Sequence, residues 1–251
     1  MCLIGVAFLA HAQFPLVIAA NRDEAFARPA IAANFWEDHP AVIGGRDLLH
    51  GGSWLAMTRR GRWAAVTNLR GADRTAKSRS RGSLVTRFVT GDQEPAEYLA
   101  GVAADAGAYG GFHLLAASRR SLAYVSSADG VAEALAPGLH SFSNAQPGVE
   151  WAKVRAIREG MRRVLDLGTG AQMIAEELTA LLTSPSAAAL HRGSTAAEEI
   201  EEEAFIVGDR YGTRSSTIIV VEAVGTAYFV ERTFGPGGKS IGSSSHEFNL
   251  G

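Results

Sequence analysis

The sequence predicts an α+β protein with a sheet-on-sheet core and helices outside it. Three observations carry that prediction. Apolar runs of strand length and amphipathic stretches of helical length come in blocks, in the order strands, helices, strands, helices, strands. Hydrophobic residues make up 47% of the 251 residues and charged residues 20%, which supplies a large core. No repeat and no long linker interrupts the chain, so residues 1–251 are expected to form a single domain.

Leu3–Ala10 and Leu16–Ala20 are apolar runs with a polar turn at His11–Pro15 between them, which reads as two buried strands. Ala41–Ile43 and Ser53–Met57 follow, with Gly44-Gly45 and Gly51-Gly52 marking tight turns beside them. Arg62–Asn68 alternates and is expected to pair with Trp54–Met57 across Arg59–Gly61. Gly71–Gly82 is polar and basic, without apolar period, and reads as a loop. Helices are predicted over Ser83–Thr90 and Pro95–Ala106, then a hairpin of Phe112–Ala117 with Leu122–Ser126. Val149–Leu167 and Ala171–Leu182 carry helical apolar spacing, and Pro185 stands just past the second. Ser184–Glu203 is poor in large apolar residues and ends in an acidic cluster. Ser216–Val221 and Ala227–Glu231 are the last predicted strands, and beyond Gly235 the Gly/Ser-rich chain reads as a surface tail.

The totals exclude some functions. A formal net charge of −2 gives no chain-wide basic field for nucleic acid. One cysteine makes no internal disulfide and asks for no oxidising compartment. The apolar start has no Lys or Arg before Arg22, and it is too short to span a bilayer before His11, Gln13 and Pro15. A cytoplasmic protein without stable membrane insertion is therefore expected. The seven histidines form neither an HExxH nor a Cys/His zinc spacing, so no metal site is expected. Spacing does not decide whether one of them could be an axial haem ligand. The acidic residues Glu198 to Glu203 lack the alternation of a calcium loop.

Cys2 is the sole cysteine and heads the first strand. Removal of Met1 would leave an α-amine and a thiol on one residue, with ordinary pKa values of about 7.7–8.0 and about 8.5. Such an amine can act as general base for its own side chain. The competing reading is a small hydrophobe in a buried strand. Asn21-Arg22-Asp23-Glu24 follows the second strand, and an antiparallel return would bring it beside Cys2. There Arg22 would stabilise the thiolate and Asp23 would orient the ammonium or the thiol. Taken alone, the tetrapeptide also reads as a solvated turn.

These residues begin a longer pattern. Met1-Cys2, Ala19–Glu24, Arg28-Pro29, Gly44–Asp47, Gly51–Leu55, Thr67–Arg70, Arg81-Gly82, Ser143-Asn144 with Trp151–Val154, and Tyr211–Thr217 run in one order along the chain. In this the sequence resembles the NRDE-motif, or transport and Golgi organisation 2-like, family. The sequence departs from the family pattern over Ala187–Ala204, and Ser53 stands where the family commonly has Thr. The family in turn is similar to the cysteine N-terminal-nucleophile hydrolases that cleave amides of bile salts and penicillin V. That resemblance implies a four-layer αββα sandwich of two mainly antiparallel sheets. It implies Cys2 as nucleophile flanked by Arg22 and Asp23, Asn68 and Asn144 near the oxyanion, and Arg214 completing the polar cluster. Neutral amides suit an oxyanion. Each Asn alone also reads as a turn cap, and Arg214 as a surface Arg at a strand start.

Two functions remain open on these grounds, beside an inactive scaffold whose polar cluster serves stability. One is hydrolysis of a non-peptide amide through a Cys2 thioester, needing no cofactor. The other is carriage of a small hydrophobic or amphipathic anion, such as haem or an acyl lipid, as the family resemblance implies. Arg79 and Arg81 in the basic loop would then suit an anionic group, or else are simply solvated. The oligomeric state is not legible.

Overall fold

A computed structural model describes residues 2–72, 77–168, 170–184 and 203–251. The chain is α+β, with two antiparallel sheets and four α-helices among the described residues. It divides into two compact units, each with one sheet and one helix pair.

The first unit comprises residues 1–27, 137–143 and 149–248. Its strands are β1 (Cys2–Phe8), β2 (Leu16–Ala25), β10 (Gly138–Phe142), β11 (Tyr211–Val221), β12 (Thr226–Phe234) and β13 (Ser240–Asn249). They lie in the order β10-β1-β2-β11-β12-β13. The β1–β2 turn closes as expected at His11–Pro15, with the Leu9 N–H donating to the Pro15 carbonyl at 2.7 Å. Leu3, Ala7, Val17, Ala19, Ile218 and Val220 alternate onto one face of this sheet. Against them pack α3 (Ala152–Asp166) and α4 (Ala171–Thr183), through Ile157, Met161, Ile174 and Leu178. Burying each such side chain contributes about 1.5–3 kcal/mol. Gly5 lets α3 approach: a Cβ there would stand 2.4 Å from the Met161 sulfur.

The second unit comprises residues 28–136, 144–148 and 249–251. Its strands β3 (Ala30–Phe35), β4 (Val42–Asp47), β5 (Leu55–Thr58), β6 (Trp63–Asn68), β7 (Phe112–Ala117), β8 (Leu122–Ser126) and β9 (Ala132–Leu135) form a meander in chain order. The helices α1 (Gly82–Thr90) and α2 (Pro95–Ala104) cover it with Leu84, Val85, Phe88, Leu99 and Val102. The two expected hairpins are present, Met57 pairing with Trp63 and Leu114 with Val125.

Three expectations fail. Gly44-Gly45 is no turn but lies inside β4, where a Cβ on Gly45 would meet the Trp54 ring at 2.1 Å. The glycines serve close approach, not chain reversal. The segment past Gly235 is no tail: Ser240–Asn249 pairs at the sheet edge, where backbone hydrogen bonds hold a strand that has little apolar pattern. The helix predicted from Val149 starts at Ala152, leaving Val149 exposed. Strands β3 and β9 were not predicted. The acidic cluster Glu198 to Glu202 and nearly all of Ala187–Ala204 lie outside the described residues, as does Arg74.

Candidate active site

The first unit places Cys2 and Arg22 as direct partners, because β1 and β2 pair with Cys2 opposite Arg22 and Leu3 opposite Asn21. Alternation then sorts the neighbours. Asn21 faces the helices, where its amide donates to the Leu182 carbonyl at 2.9 Å and the Ala204 carbonyl at 2.7 Å. Its own oxygen accepts the Ser216 hydroxyl at 2.6 Å. Cys2 and Arg22 are thus on the opposite face, with Ser215 of β11 in register with Arg22. Arg22 is buried, and Cys2 is partly buried.

Asp23 sits at the end of the same strand and is buried. Between Thr213 and Ser215 the register of β11 shifts, so Thr213 is the partner of Asp23 while Ser215 remains the partner of Arg22. The Thr213 hydroxyl donates to Asp23 Oδ1 at 2.7 Å. The intervening Arg214 donates from Nη1 to the Ala25 carbonyl at 3.0 Å and lies over the Phe26 ring. Lys153 of α3 is also buried; its Nζ donates to the Glu203 carbonyl at 3.2 Å.

Burial dominates the electrostatics. It pushes the Cys2 thiol above its ordinary value, and the Asp23 charge adds to this; the Asp23 backbone N–H and Arg22 pull the other way. Burial likewise pushes the Asp23 carboxyl up, opposed by the Thr213 hydrogen bond and by the charges of Lys153 and Arg22. The thiol therefore rests protonated at neutral pH, and chemistry at sulfur needs a base to remove its proton. This tempers the expectation of a thiolate already formed beside Arg22.

Asn68 and Asn144 belong to the second unit, which brings these two together. Asn68 closes β6 and is exposed, while Asn144 is buried. Asn144 Nδ2 donates to the Asn68 carbonyl at 2.5 Å, and the Arg70 N–H donates to the Asn144 carbonyl at 2.8 Å. The next residue is fixed by His113, whose Nε2 donates to the Ala145 carbonyl at 2.8 Å. The His113 Nδ1 stands 2.7 Å from the Tyr124 hydroxyl. Arg79 and Arg81 have local roles in this unit: Arg79 pairs with Asp105, and Arg81 Nη1 donates to the Gly111 carbonyl at 3.1 Å. Among the described residues no cluster of His, Cys, Asp or Glu is arranged to hold a metal ion.

The profile of the Transport and Golgi organisation 2 family matches residues 1–236. The chain belongs to that family. The Transport and Golgi organization protein 2 homolog of Bos taurus is 33% identical, with 100% of this chain and 99% of the relative covered. The homolog of Homo sapiens is 31% identical, with 93% of each covered. Among solved structures, a mutant conjugated bile acid hydrolase from Clostridium perfringens superposes with a TM-score of 0.54 at 7% identity, covering 100% of this chain and 92% of that one. Another variant of the same hydrolase gives 0.52 at 9% identity, covering 98% and 97%. This member of the Transport and Golgi organisation 2 family thus has the N-terminal-nucleophile hydrolase fold.

Some of the family's motif residues prove to be scaffold. Arg28 makes a two-pronged pair with Asp47, Nε to Oδ1 at 2.9 Å and Nη2 to Oδ2 at 2.8 Å, which ties the entry to β3 to the end of β4. Conversely, sequence reasoning gave no role to Thr213 or Lys153, although both stand in motif blocks. Neither carried a signal of its own: Thr213 stands among Gly212, Arg214, Ser215 and Ser216, and Lys153 lies between Glu150 and Arg155. His113 belongs to no HExxH or Cys/His zinc spacing, and its partners, Tyr124 and Ala145, are 11 and 32 residues away.

Proposed function

We propose that this protein is a cysteine N-terminal-nucleophile amidohydrolase acting on a linear, non-peptide amide. The observation that carries the reading is the pairing of Cys2 with Arg22 at the head of β1, next to a buried, hydrogen-bonded Asp23, on this fold. The reaction needs Cys2 as first residue, after removal of Met1. Its α-amine takes the thiol proton, and sulfur attacks the amide carbon as the carbonyl electrons move to oxygen. That oxyanion needs neutral hydrogen-bond donors. Collapse breaks the C–N bond, and the departing nitrogen takes the proton from the α-ammonium. Water, deprotonated by the same amine, then attacks the thioester. The C–S bond breaks, the acid leaves, and the sulfur recovers its proton. Asp23 orients the amine, and Arg22 steadies charge at sulfur. No cofactor is consumed.

The test is acylation by a β-lactone bearing an acyl tail, located by mass spectrometry, alongside turnover of N-acyl 4-nitroanilides. Adduct at Cys2, formed faster than on the unfolded chain and absent from Cys2→Ser, is expected. Acylation no faster than on the unfolded chain would sink the hydrolase reading. If that chain also binds haem or an acyl lipid with an affinity unmoved by Cys2→Ser, the protein is a carrier.

A further inference from the structure

We propose that Thr213 is a positioning residue for the Cys2 reaction, holding the Asp23 carboxylate through a hydroxyl whose direction is set by the backbone of Ile206. The inference rests on the reading of Cys2 as nucleophile and Asp23 as the group that orients its amine.

Thr213 is fully buried and stands in register opposite Asp23. Its hydroxyl has one proton to give and room to accept. The Ile206 N–H donates to Thr213 Oγ1 at 2.9 Å, and the Thr213 N–H donates back to the Ile206 carbonyl at 2.9 Å. The oxygen side of the hydroxyl is therefore used by a backbone donor. The hydroxyl proton turns to Asp23 Oδ1, 2.7 Å away. This arrangement presents Asp23 as an acceptor at that oxygen.

The backbone that orients Thr213 is itself held. Lys153 Nζ donates to the Glu203 carbonyl and Asn21 Nδ2 to the Ala204 carbonyl, so both side chains grip the approach to Ile206. Ser216 in turn fixes Asn21. Two side chains, from β2 and α3, thus brace one short stretch of main chain, and a third, from β11, holds one of them. A hydroxyl placed only to cap a strand would not need this bracing.

Among the described residues the charged and titratable groups around Asp23 are Cys2 on β1, Arg22 on β2 and Lys153 on α3, and the N-terminal ammonium also draws its carboxyl down. With the hydroxyl removed, burial acts on the carboxyl with less opposition. Asp23 would then keep its proton to higher pH, and a neutral Asp23 holds an ammonium poorly. The acid limb of the rate profile moves upward in consequence.

The experiment compares wild type, Thr213→Ser and Thr213→Val by the rate and pH profile of Cys2 acylation with the β-lactone probe. Thermal unfolding monitors the fold. Thr213→Val, close in shape but without the hydroxyl, is expected to react about 10- to 100-fold more slowly, with its acid limb at higher pH. Thr213→Ser is expected to recover most of the rate. In an Asp23→Asn background Thr213→Val should add little further loss. Thr213→Ala stands in, with the same expectations, should Thr213→Val not fold. A wild-type rate and profile in the hydroxyl-free variant overturns the proposal. So does equal loss in Thr213→Ser, or a full additional loss in the Asp23→Asn background. Failure of the wild type itself to acylate overturns the hydrolase reading, and the proposal with it.

Discussion

Cys2 and Asp23 are both pushed toward their neutral forms by burial, which makes the proposed site depend on proton transfer and not on a standing thiolate. The same physics acts on His113 in the second unit, where burial lowers the imidazole against the pull of the Ala145 carbonyl and Asp129. Its Nε2 faces a carbonyl and so carries the hydrogen; its Nδ1 accepts from Tyr124, whose own hydroxyl is pushed up to about 12. Folding thus keeps His113 neutral. Its contribution is complete above the unfolded value of about 6.5 and is lost as pH falls from there toward the lowered folded value. His113→Gln keeps a donor for Ala145 and cannot titrate. Its unfolding free energy is expected to lack the acid decline of the wild type, a slope of at most about 1.4 kcal/mol per pH unit, read by denaturant melts at pH 7.5 and 5.5. At this scale the sequence revealed candidates but not partners. Arg22 beside Cys2 followed from a short strand return, whereas Asp23 with Thr213 joins residues 190 apart and leaves no local trace.

Elements were legible wherever apolar pattern decided them. The runs that became β1, β2, β7, β8 and β11, and the stripes of α3 and α4, were read directly, because burial on one face imposes a period. Glycines misled, since the same residue marks a turn or a close approach. Gly44-Gly45 is a case of the second, and β13 shows that backbone pairing at an edge builds a strand without apolar alternation. Gly51 and Gly52 show both uses side by side. Gly51 has a φ of 71°, as a turn needs. A Cβ on Gly52 would lie 2.4 Å from the backbone of Gly82, where α1 begins. Because main chain cannot swing aside, Gly52→Ala is expected to cost about 1–3 kcal/mol, lowering the denaturation midpoint. A variant as stable as the wild type would show that α1 can back away from this loop.

The whole chain assigns one sheet and one helix pair to each unit, with the proposed nucleophile and its acid in the first. The fold class and the family were legible because many short blocks kept their order along the chain, though each block alone was weak. The proposed catalysis depends on an event at the very start of the chain. Intact mass of protein from its native cell is expected to show loss of Met1, and a retained Met1 would exclude the α-amine as base. The shift at Arg214 carries a last consequence. Counted without the extra residue, Arg214 itself would stand across from Asp23, and the acid would be locked in a permanent ion pair with its proton affinity driven down. With it, the acid meets an alcohol instead. Moving this shift by one residue along the strand would therefore leave the sheet standing while changing which group the acid meets.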